Sequence, residues 1–375
     1  MVKIDRKIKL IAVYLPQFHT IPENDNWWGK GFTEWFNVVK GKPRFRNHYQ
    51  PHLPADLGFY DLRLEEIRIA QAEMAKEHGL GGFCYYHYWF NGKMLLERPF
   101  NEVLSSGKPD FPFCLCWANE NWTRKWDGLE DEIIMKQNYD EYNSEQHILW
   151  LEKAFADKRY IRINNKPLFL IYRADSIPNL KERIILWRKI IEEKGYEGIY
   201  LCSVKSFHNK LSEDEIMKMG FDALVEFYPG NDSLPHIKYS SLPIFLLLAI
   251  INKLISILRL KDKIKKLPIT FVYDYELMVN KIINKAKSKY QVFPCVIPSW
   301  DNTARNRWAT VLQNCKIDIY KKWLNYAIER IKNNSSDERI IFINAWNEWA
   351  EGCHLEPDLR NGKKYLEATA EVINK

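Results

Sequence analysis

Short apolar, β-rich runs alternate with helical patterns along the whole chain, and about eight such pairs occur in its 375 residues. The runs begin at Lys9, Gly81, Phe113, Pro167, Gly198, Ala223, Val292 and Arg339. Strands that alternate with helices form a parallel sheet with the helices outside it. A doubly wound sheet is the competing fold, but no G-x-G-x-x-G motif opens a helix and the P-loop pattern is missing. We therefore predict an α/β fold, one (β/α)₈ TIM barrel over residues 1–375 with long loops on its C-terminal face.

An insertion of about residues 231–268 interrupts this alternation after the sixth strand. Its apolar run is broken by Asn252 and Lys253, so it makes a poor membrane span. Six basic residues and one aspartate between Lys253 and Lys266 hold most of the net charge of +7. A helix with a broad apolar face and a basic end lies on an anionic membrane surface or packs on protein. Both alternatives stay open for residues 242–266. Because no nucleic-acid motif accompanies the basic charge, we predict no nucleic-acid partner.

Cysteine usage and the N-terminus predict a cytoplasmic protein. The seven cysteines show no paired framework spacing, and Cys114 and Cys116 form only a C-x-C without a second zinc-ligand pair. The N-terminal apolar run is interrupted by Pro16 and is too short for the core of a signal peptide. A peripheral position at the inner face of the membrane is the alternative that the insertion adds.

The histidines show neither an H-x-H nor an H-E-x-x-H spacing. Those considered are His19, His48, His52, His87 and His354. We predict no metal and no cofactor, with a metal site assembled from distant histidines as the lesser alternative.

Polar and aromatic residues crowd the predicted C-terminal ends of the strands, where barrel enzymes carry their active sites. The chain has 14 Trp and 20 Tyr, and such rings suit the flat faces of sugars. This pattern favours a carbohydrate cleft, although each ring has core packing as its alternative. The predicted substrate contacts are Tyr14, His87, Trp117, Asn119, Trp122, Trp300, Asp301, Trp346 and Asn347.

Glu348 and Glu351 lie in the stretch INAWNEWAEG, directly after the eighth strand. Hydrolysis of a glycosidic bond needs one carboxyl to protonate the leaving oxygen and a second to assist at the sugar. The flanking tryptophans lower the local polarity, which raises the pKa of a carboxyl group. We predict this pair as catalytic, with a structural glutamate paired to a rim arginine as the alternative. Glu120 and Glu226 are more typical of positioning residues.

Several motifs together carry a family resemblance from about Lys9 to the C-terminus. The ending INAWNEWAEGCHLEPD is similar to the N-E-W-x-E-G signature of glycoside hydrolase family 99, the endo-α-1,2-mannosidases and mannanases. The stretches AVYLPQFHTIPENDNWWGKGFTEW, GFCYYHYWF and WANENWTRKWDG more closely resemble the related WbsX-type proteins of bacterial surface-polysaccharide assembly, which are often labelled glycosyltransferases. The resemblance implies a (β/α)₈ barrel and a metal-free site.

The resemblance also implies roles for the two glutamates. Glu348 acts as a base on the 2-hydroxyl of the sugar, and Glu351 acts as acid on the leaving oxygen and then as base toward water. The predicted activity is retaining hydrolysis of an α-linked O-antigen- or capsule-type glycan, in its free or lipid-linked form, within lipopolysaccharide and carbohydrate metabolism. A glycosyltransferase or transglycosylase and a non-catalytic glycan-binding barrel are the alternatives.

Overall fold

The computed structural model describes residues 8–124, 129–207, 209–230, 232–240 and 268–374. It contains the predicted barrel of eight parallel strands. These are β1 Lys9–Tyr14, β2 Gly82–Phe90, β3 Phe113–Trp117, β4 Lys166–Ile171, β5 Tyr200–Lys205, β6 Ala223–Glu226, β7 Val292–Phe293 with Cys295–Val296, and β8 Ile340–Ile343.

The strands form one closed ladder in which each strand pairs in parallel with its neighbours in sequence. β8 returns to β1, with Lys9 opposite Ile340, and this pairing closes the ring. β7 is divided at Pro294, which has no N–H to give to a ladder. Its first half pairs with β6 and its second half with β8. The predicted (β/α)₈ barrel is therefore confirmed.

One helix follows each strand. The helices are α1 Glu65–Glu77, α2 Arg98–Ser106, α3 Glu141–Phe155, α4 Leu180–Glu193, α5 Glu213–Lys218, α6 Tyr275–Ile283, α7 Ile317–Ile331 and α8 Lys364–Ile373. Side-chain caps define several starts: Ser212 forms a capping box with Glu215, and Asp274 accepts a hydrogen bond from the backbone N–H of Leu277.

The loops between the barrel strands and helices contain additional short helices and strands. The long loop after β1 carries the short helices Pro22–Trp28 and Trp35–Val39. Short strands at Lys93–Leu95, Trp122–Arg124, Leu129–Met135 and Arg162–Ile163 pair locally. A separate three-stranded sheet consists of Tyr239–Ser240, Ile269–Asp274 and Trp308–Gln313.

The predicted insertion falls largely on residues 241–267, which lie outside the described part of the chain. Among the residues that are described, no helix is both long enough and apolar enough to cross a lipid bilayer.

Alternation along the strands decides which side chains face the barrel interior. A small interior cavity is lined by Val13, Cys84, Cys116, Leu170 and Phe342, one from each of five strands. Because successive side chains point to opposite faces of a strand, their immediate neighbours face the helices. The predicted site residues on the strands therefore fall into two groups, those that face the barrel interior or its cavity and those that face the helices.

Candidate active site

A cavity of about 410 Å³ opens at the C-terminal ends of the strands. Loops after β1, β3, β6, β7 and β8 contribute to its walls. The lining residues are Gln17, Trp28, Tyr86, Tyr88, Ala118, Glu120, Asn121, Trp122, Thr123, Ile134, Tyr172, Phe207, Phe227, Pro229, Leu234, Trp300, Asn302, Arg305, Asn306, Trp308, Thr310, Glu348 and Glu351. The predicted carboxylate pair thus lies in this cavity, at the barrel face expected for an active site.

Glu348 and Glu351 come from a short hairpin directly after β8. One arm, Asn347–Glu348, pairs in antiparallel orientation with Cys353–His354. The turn closes at Gly352, whose φ of 55° is a left-handed conformation that favours glycine. The hairpin places both carboxyl groups on the cavity wall.

The guanidinium group of Arg305 bridges three carboxyl groups. Its Nη1 lies 3.0 Å from Oε1 of Glu351 and 3.7 Å from Oε2 of Glu348. On the other side, Nη2 donates to Oε1 of Glu34 at 2.6 Å and Nε donates to the same oxygen at 3.2 Å. Arg305 therefore connects the loop after β1 to both members of the pair.

The two catalytic candidates have different environments. The Glu348 side chain is 6% exposed, against 21% for Glu351. Within the described residues, Oε2 of Glu348 has no hydrogen-bond partner. Burial raises the pKa of Glu348 to about 8; Arg305 opposes this shift, while the negative charges of Glu351 and Glu34 add to it. A carboxyl group with this raised pKa keeps its proton at neutral pH, and of the two catalytic candidates Glu351 lies closer to the guanidinium.

Aromatic side chains form much of the remaining wall. Tyr86 and Tyr88 project inward from β2, and Tyr172 follows β4. Of the predicted substrate contacts, Trp122 and Trp300 line the cavity. The Trp122 ring lies 5.1 Å from the Tyr88 ring in an edge-on arrangement. Such surfaces are suited to the apolar faces of sugar rings.

Four other predicted contacts are not among the cavity-lining residues and pack between the barrel and the helices. The hydroxyl of Tyr14 donates to Oε1 of Gln71 on α1 at 2.6 Å. The His87 ring stacks at 4.6 Å on that of Trp150 of α3. Trp117 and Trp346 pack in the same layer, with rings 4.6 Å from His147 and 5.2 Å from Phe83, respectively.

The last three predicted contacts also lie off the cavity wall and hold the loops that form it. Asn119 donates to the carbonyl oxygen of Arg173 and accepts from its N–H, both at 2.8 Å. Asn347 makes the same reciprocal pair with the backbone of Leu15, at 2.7 and 3.0 Å. The Asp301 side chain accepts hydrogen bonds from His48 and Thr303, both at 2.6 Å. These three residues are placed to support the site.

The positioning candidates Glu120 and Glu226 are both ion-paired. Glu120 lines the cavity and lies 2.8 Å from Nη1 of Arg173. Glu226 accepts from Nη1 of Arg330 at 2.8 Å with each of its oxygens.

Glu34 is a buried carboxyl group of the site that the sequence analysis did not single out. It is fully buried, and burial raises its pKa against the opposing effect of Arg305. The sequence contains a signal that could have identified Glu34, because Glu34 is followed by Trp35 just as Glu348 is followed by Trp349. The two tryptophan rings lie 5.7 Å apart, so the two E-W pairs meet at the base of the site.

A family model described as "Glycosyltransferase WbsX" matches residues 10–369. Two relatives, each called "Uncharacterized protein WxcX", come from strains B100 and ATCC 33913 of Xanthomonas campestris pv. campestris. Each is 38% identical over 368 residues, which cover 98% of this chain and 50% of the relative. The chain thus spans about half the length of these curated relatives.

Solved structures with the same fold include the family 99 (GH99) endo-α-mannosidase from Bacteroides thetaiotaomicron. Its complex with bis-tris-propane superimposes with a TM-score of 0.56 at 15% identity, covering 99% of this chain and 98% of the enzyme. A protein described as "Glycoside hydrolase-like protein" gives 0.56 at 12% identity, covering 100% of this chain and 96% of that one. At these identities the likeness establishes the fold, which is that of family 99 barrel enzymes.

Proposed function

The chain belongs to the WbsX glycosyltransferase family, and from its cavity we propose that it is a retaining, glycosidase-like enzyme acting on an α-linked bacterial surface polysaccharide. One observation carries the proposal: two carboxyl groups in unequal environments share a single arginine inside an aromatic-walled cavity. Binding alone needs no acid–base pair, so this arrangement favours catalysis over a purely glycan-binding barrel.

Two displacements at the anomeric carbon account for retention. Glu348 removes the proton of the 2-hydroxyl, this oxygen attacks C1, and the bond from C1 to the leaving oxygen breaks as Glu351 protonates that oxygen. Water then attacks C1 while Glu351 takes its proton, and the oxygen released from the 1,2-anhydro ring regains a proton from Glu348. Each step inverts C1, so the product keeps the original configuration, and the protein needs no nucleophile of its own.

The pair must hold one proton for this chemistry, and in the free protein that proton is on Glu348. The first step needs it on Glu351 instead. A bound sugar brings its 2-hydroxyl to Glu348, and the hydrogen bond that this hydroxyl donates favours the ionised form of Glu348. We propose that substrate binding moves the proton from Glu348 to Glu351.

The alkaline limb of the pH profile follows from the raised pKa of Glu348. Above a pH of about 8 the pair loses its last proton, so no acid remains for the leaving oxygen. We expect kcat/KM to fall about tenfold per pH unit above this limit, and glycan cleavage measured from pH 5 to 10 checks this. An unchanged rate up to pH 10 would contradict the assignment of a shared proton.

Transfer is the second candidate, and the description of the matching family favours it. A sugar hydroxyl that replaces water in the second displacement gives a new glycosidic bond with the same two carboxyl groups. The difference between hydrolysis and transfer then lies in the acceptor.

The deciding experiment is to incubate the protein with a panel of α-linked bacterial glycans, with and without an acceptor sugar, and to identify the products by mass spectrometry. Released oligosaccharide supports hydrolysis, and a product that appears only with the acceptor supports transfer. If correctly folded protein gives neither product with any glycan of the panel, this result would favour the glycan-binding alternative.

We propose that residues 242–266 contact an anionic membrane surface, which would suit a lipid-linked substrate, with packing on protein as the alternative. The described chain stops at Ser240 and resumes at Pro268, next to the strand Ile269–Asp274. That strand pairs with Trp308–Gln313, whose first residue lines the cavity. The strand Ile269–Asp274 is therefore part of a sheet that reaches the cavity wall.

We expect the protein to float with liposomes that contain anionic lipid and to stay behind with neutral phosphatidylcholine liposomes. Replacing Lys253, Arg259, Lys261 and Lys263 with glutamine is expected to abolish flotation, because each basic group near the surface contributes about 1 kcal/mol of binding energy. Equal recovery with both lipid compositions, or none with either, would contradict membrane contact through this segment.

A further inference from the structure

A cluster of metal-ligating side chains lies next to the glutamate hairpin. His52 comes from the long loop after β1, and His354 and Asp358 come from the segment that follows Glu351. One ligand atom from each of the three lies within 4.8 Å of the others, and all three residues are buried. None of them is among the residues that line the 410 Å³ cavity.

The separations of the ligand atoms suit a small divalent ion. Nδ1 of His52 lies 3.0 Å from Nε2 of His354, which lies 3.8 Å from Oδ2 of Asp358. Zinc bonds of about 2.0–2.1 Å in tetrahedral geometry place ligand atoms about 3.3–3.4 Å apart. These two distances bracket this value and the third separation is within 4.8 Å, so side-chain movements can bring all three atoms to bonding distance of one ion.

The surrounding hydrogen bonds orient these ligands as in metal sites. Nδ1 of His354 donates to the carbonyl oxygen of Glu356 at 2.9 Å, which directs the lone pair of its Nε2 toward His52. Asp358 is held by the backbone N–H of Arg360 at 2.8 Å and by the side-chain amide of Asn361 at 3.0 Å.

We propose that His52, His354 and Asp358 bind one divalent transition-metal ion, with Zn²⁺ as the ion that two imidazoles and a carboxylate favour. The ion has a structural role: it ties the loop after β1 to the segment behind the catalytic candidates. The His354 ring stacks at 3.8 Å on the ring of Trp349, the residue that follows Glu348. By holding His354, the bound ion therefore also fixes the hairpin that carries the two glutamates.

The competing arrangement needs no ion. In it, Nδ1–H of His52 donates to the lone pair of His354 Nε2, and the pair is a buried hydrogen bond only. The two arrangements predict opposite results when Zn²⁺ alone is added to the full chain.

The test uses chelator-treated protein at pH 7, titrated with Zn²⁺ by calorimetry and assayed for bound metal by mass spectrometry after dialysis. We expect one Zn²⁺ per chain and a rise in Tm of at least about 2 °C in excess zinc. His52→Gln and His354→Gln are expected to weaken binding at least a hundredfold. His78→Gln, a partly buried histidine whose Nδ1 lies 2.7 Å from the carbonyl oxygen of Met74, is the matched control with unchanged binding.

Co²⁺ substitution distinguishes metal binding at the proposed site from metal binding by any of the seven cysteines. Binding at the proposed site gives visible cobalt bands without a thiolate charge-transfer band in the near ultraviolet. No bound zinc in the wild-type protein overturns the proposal in favour of the hydrogen-bonded histidine pair. A thiolate band likewise overturns it, by placing the ion on cysteine. Both readouts use the wild-type chain, so they decide the question even where a histidine variant fails to fold.

Discussion

Glu348→Gln and Glu351→Gln are each expected to lower kcat/KM for glycan cleavage or transfer by about 10²–10⁴-fold, the usual contribution of a positioned acid or base. Both carboxyl groups are needed, because one must accept a proton while the other donates one in the same displacement. The measurement is product formation by mass spectrometry on the glycan that the wild-type protein converts. Glu120→Gln is the matched control, since Glu120 lines the same cavity but is paired with Arg173. We expect it to lose less than tenfold.

Stability measurements on the same variants separate lost chemistry from lost folding. The folded protein raises the pKa of Glu348 from 4.5 to about 8, so it binds a proton in this interval that the unfolded chain releases. Glu348 therefore lowers stability progressively as pH rises from 4.5 to 8. Glu348→Gln removes this cost, so the variant is expected to combine its large loss of activity with a higher stability than the wild type at pH 8. A folded variant of either glutamate that keeps more than about a tenth of the activity would refute the assigned roles.

Arg305→Met is expected to cost about 3–5 kcal/mol of unfolding free energy at pH 8, the range for removing one partner of a buried ion pair. The guanidinium neutralises Glu34, which is fully buried, and lies next to Glu348 and Glu351. Without it the pKa values of Glu34 and Glu348 rise further, and the folded state ionises these two carboxyl groups at a greater cost. Urea unfolding at pH 5 and pH 8 measures the effect.

The pH dependence distinguishes charge from packing in this variant. Carboxyl groups with raised pKa values lower stability as pH rises, so the loss should be larger at pH 8 than at pH 5. Adding Glu34→Gln to Arg305→Met should recover part of the loss, because it removes the most deeply buried charge. Equal losses at both pH values, with no recovery in the double variant, would show that Arg305 acts through its packing alone.

Much of the candidate site followed from the sequence because strand ends in a parallel barrel converge on one face. Glu348, Glu351, Trp122 and Trp300 were expected at this face, and the structure brings all four to one cavity. Their roles in catalysis and substrate binding remain predictions.

Side chains alternate between the two faces of a strand, and this alternation explains why other predicted substrate contacts face the helices and not the cavity. Tyr86 and Tyr88 face the cavity, whereas His87 between them faces α3. Likewise Val13 and Cys116 line the barrel interior, whereas their neighbours Tyr14 and Trp117 pack outward. Strand ends in the sequence locate the rim to within a residue or two, but a shift of one residue reverses the direction of a side chain.

The sequence by itself determined the barrel and the position of the glutamate pair, because hydrophobic periodicity and strand order are local properties that close a parallel ladder in only a few ways. Tertiary structure decided the electrostatics of the site. Glu34 and Arg305 are 271 residues apart in sequence and 2.6 Å apart in space, and their pairing sets the charge around Glu348 and Glu351. Long loops on a barrel face bring such residues together, and no sequence spacing encodes that contact. Burial then sets the pKa of Glu348, since desolvation depends on everything that surrounds the carboxyl group.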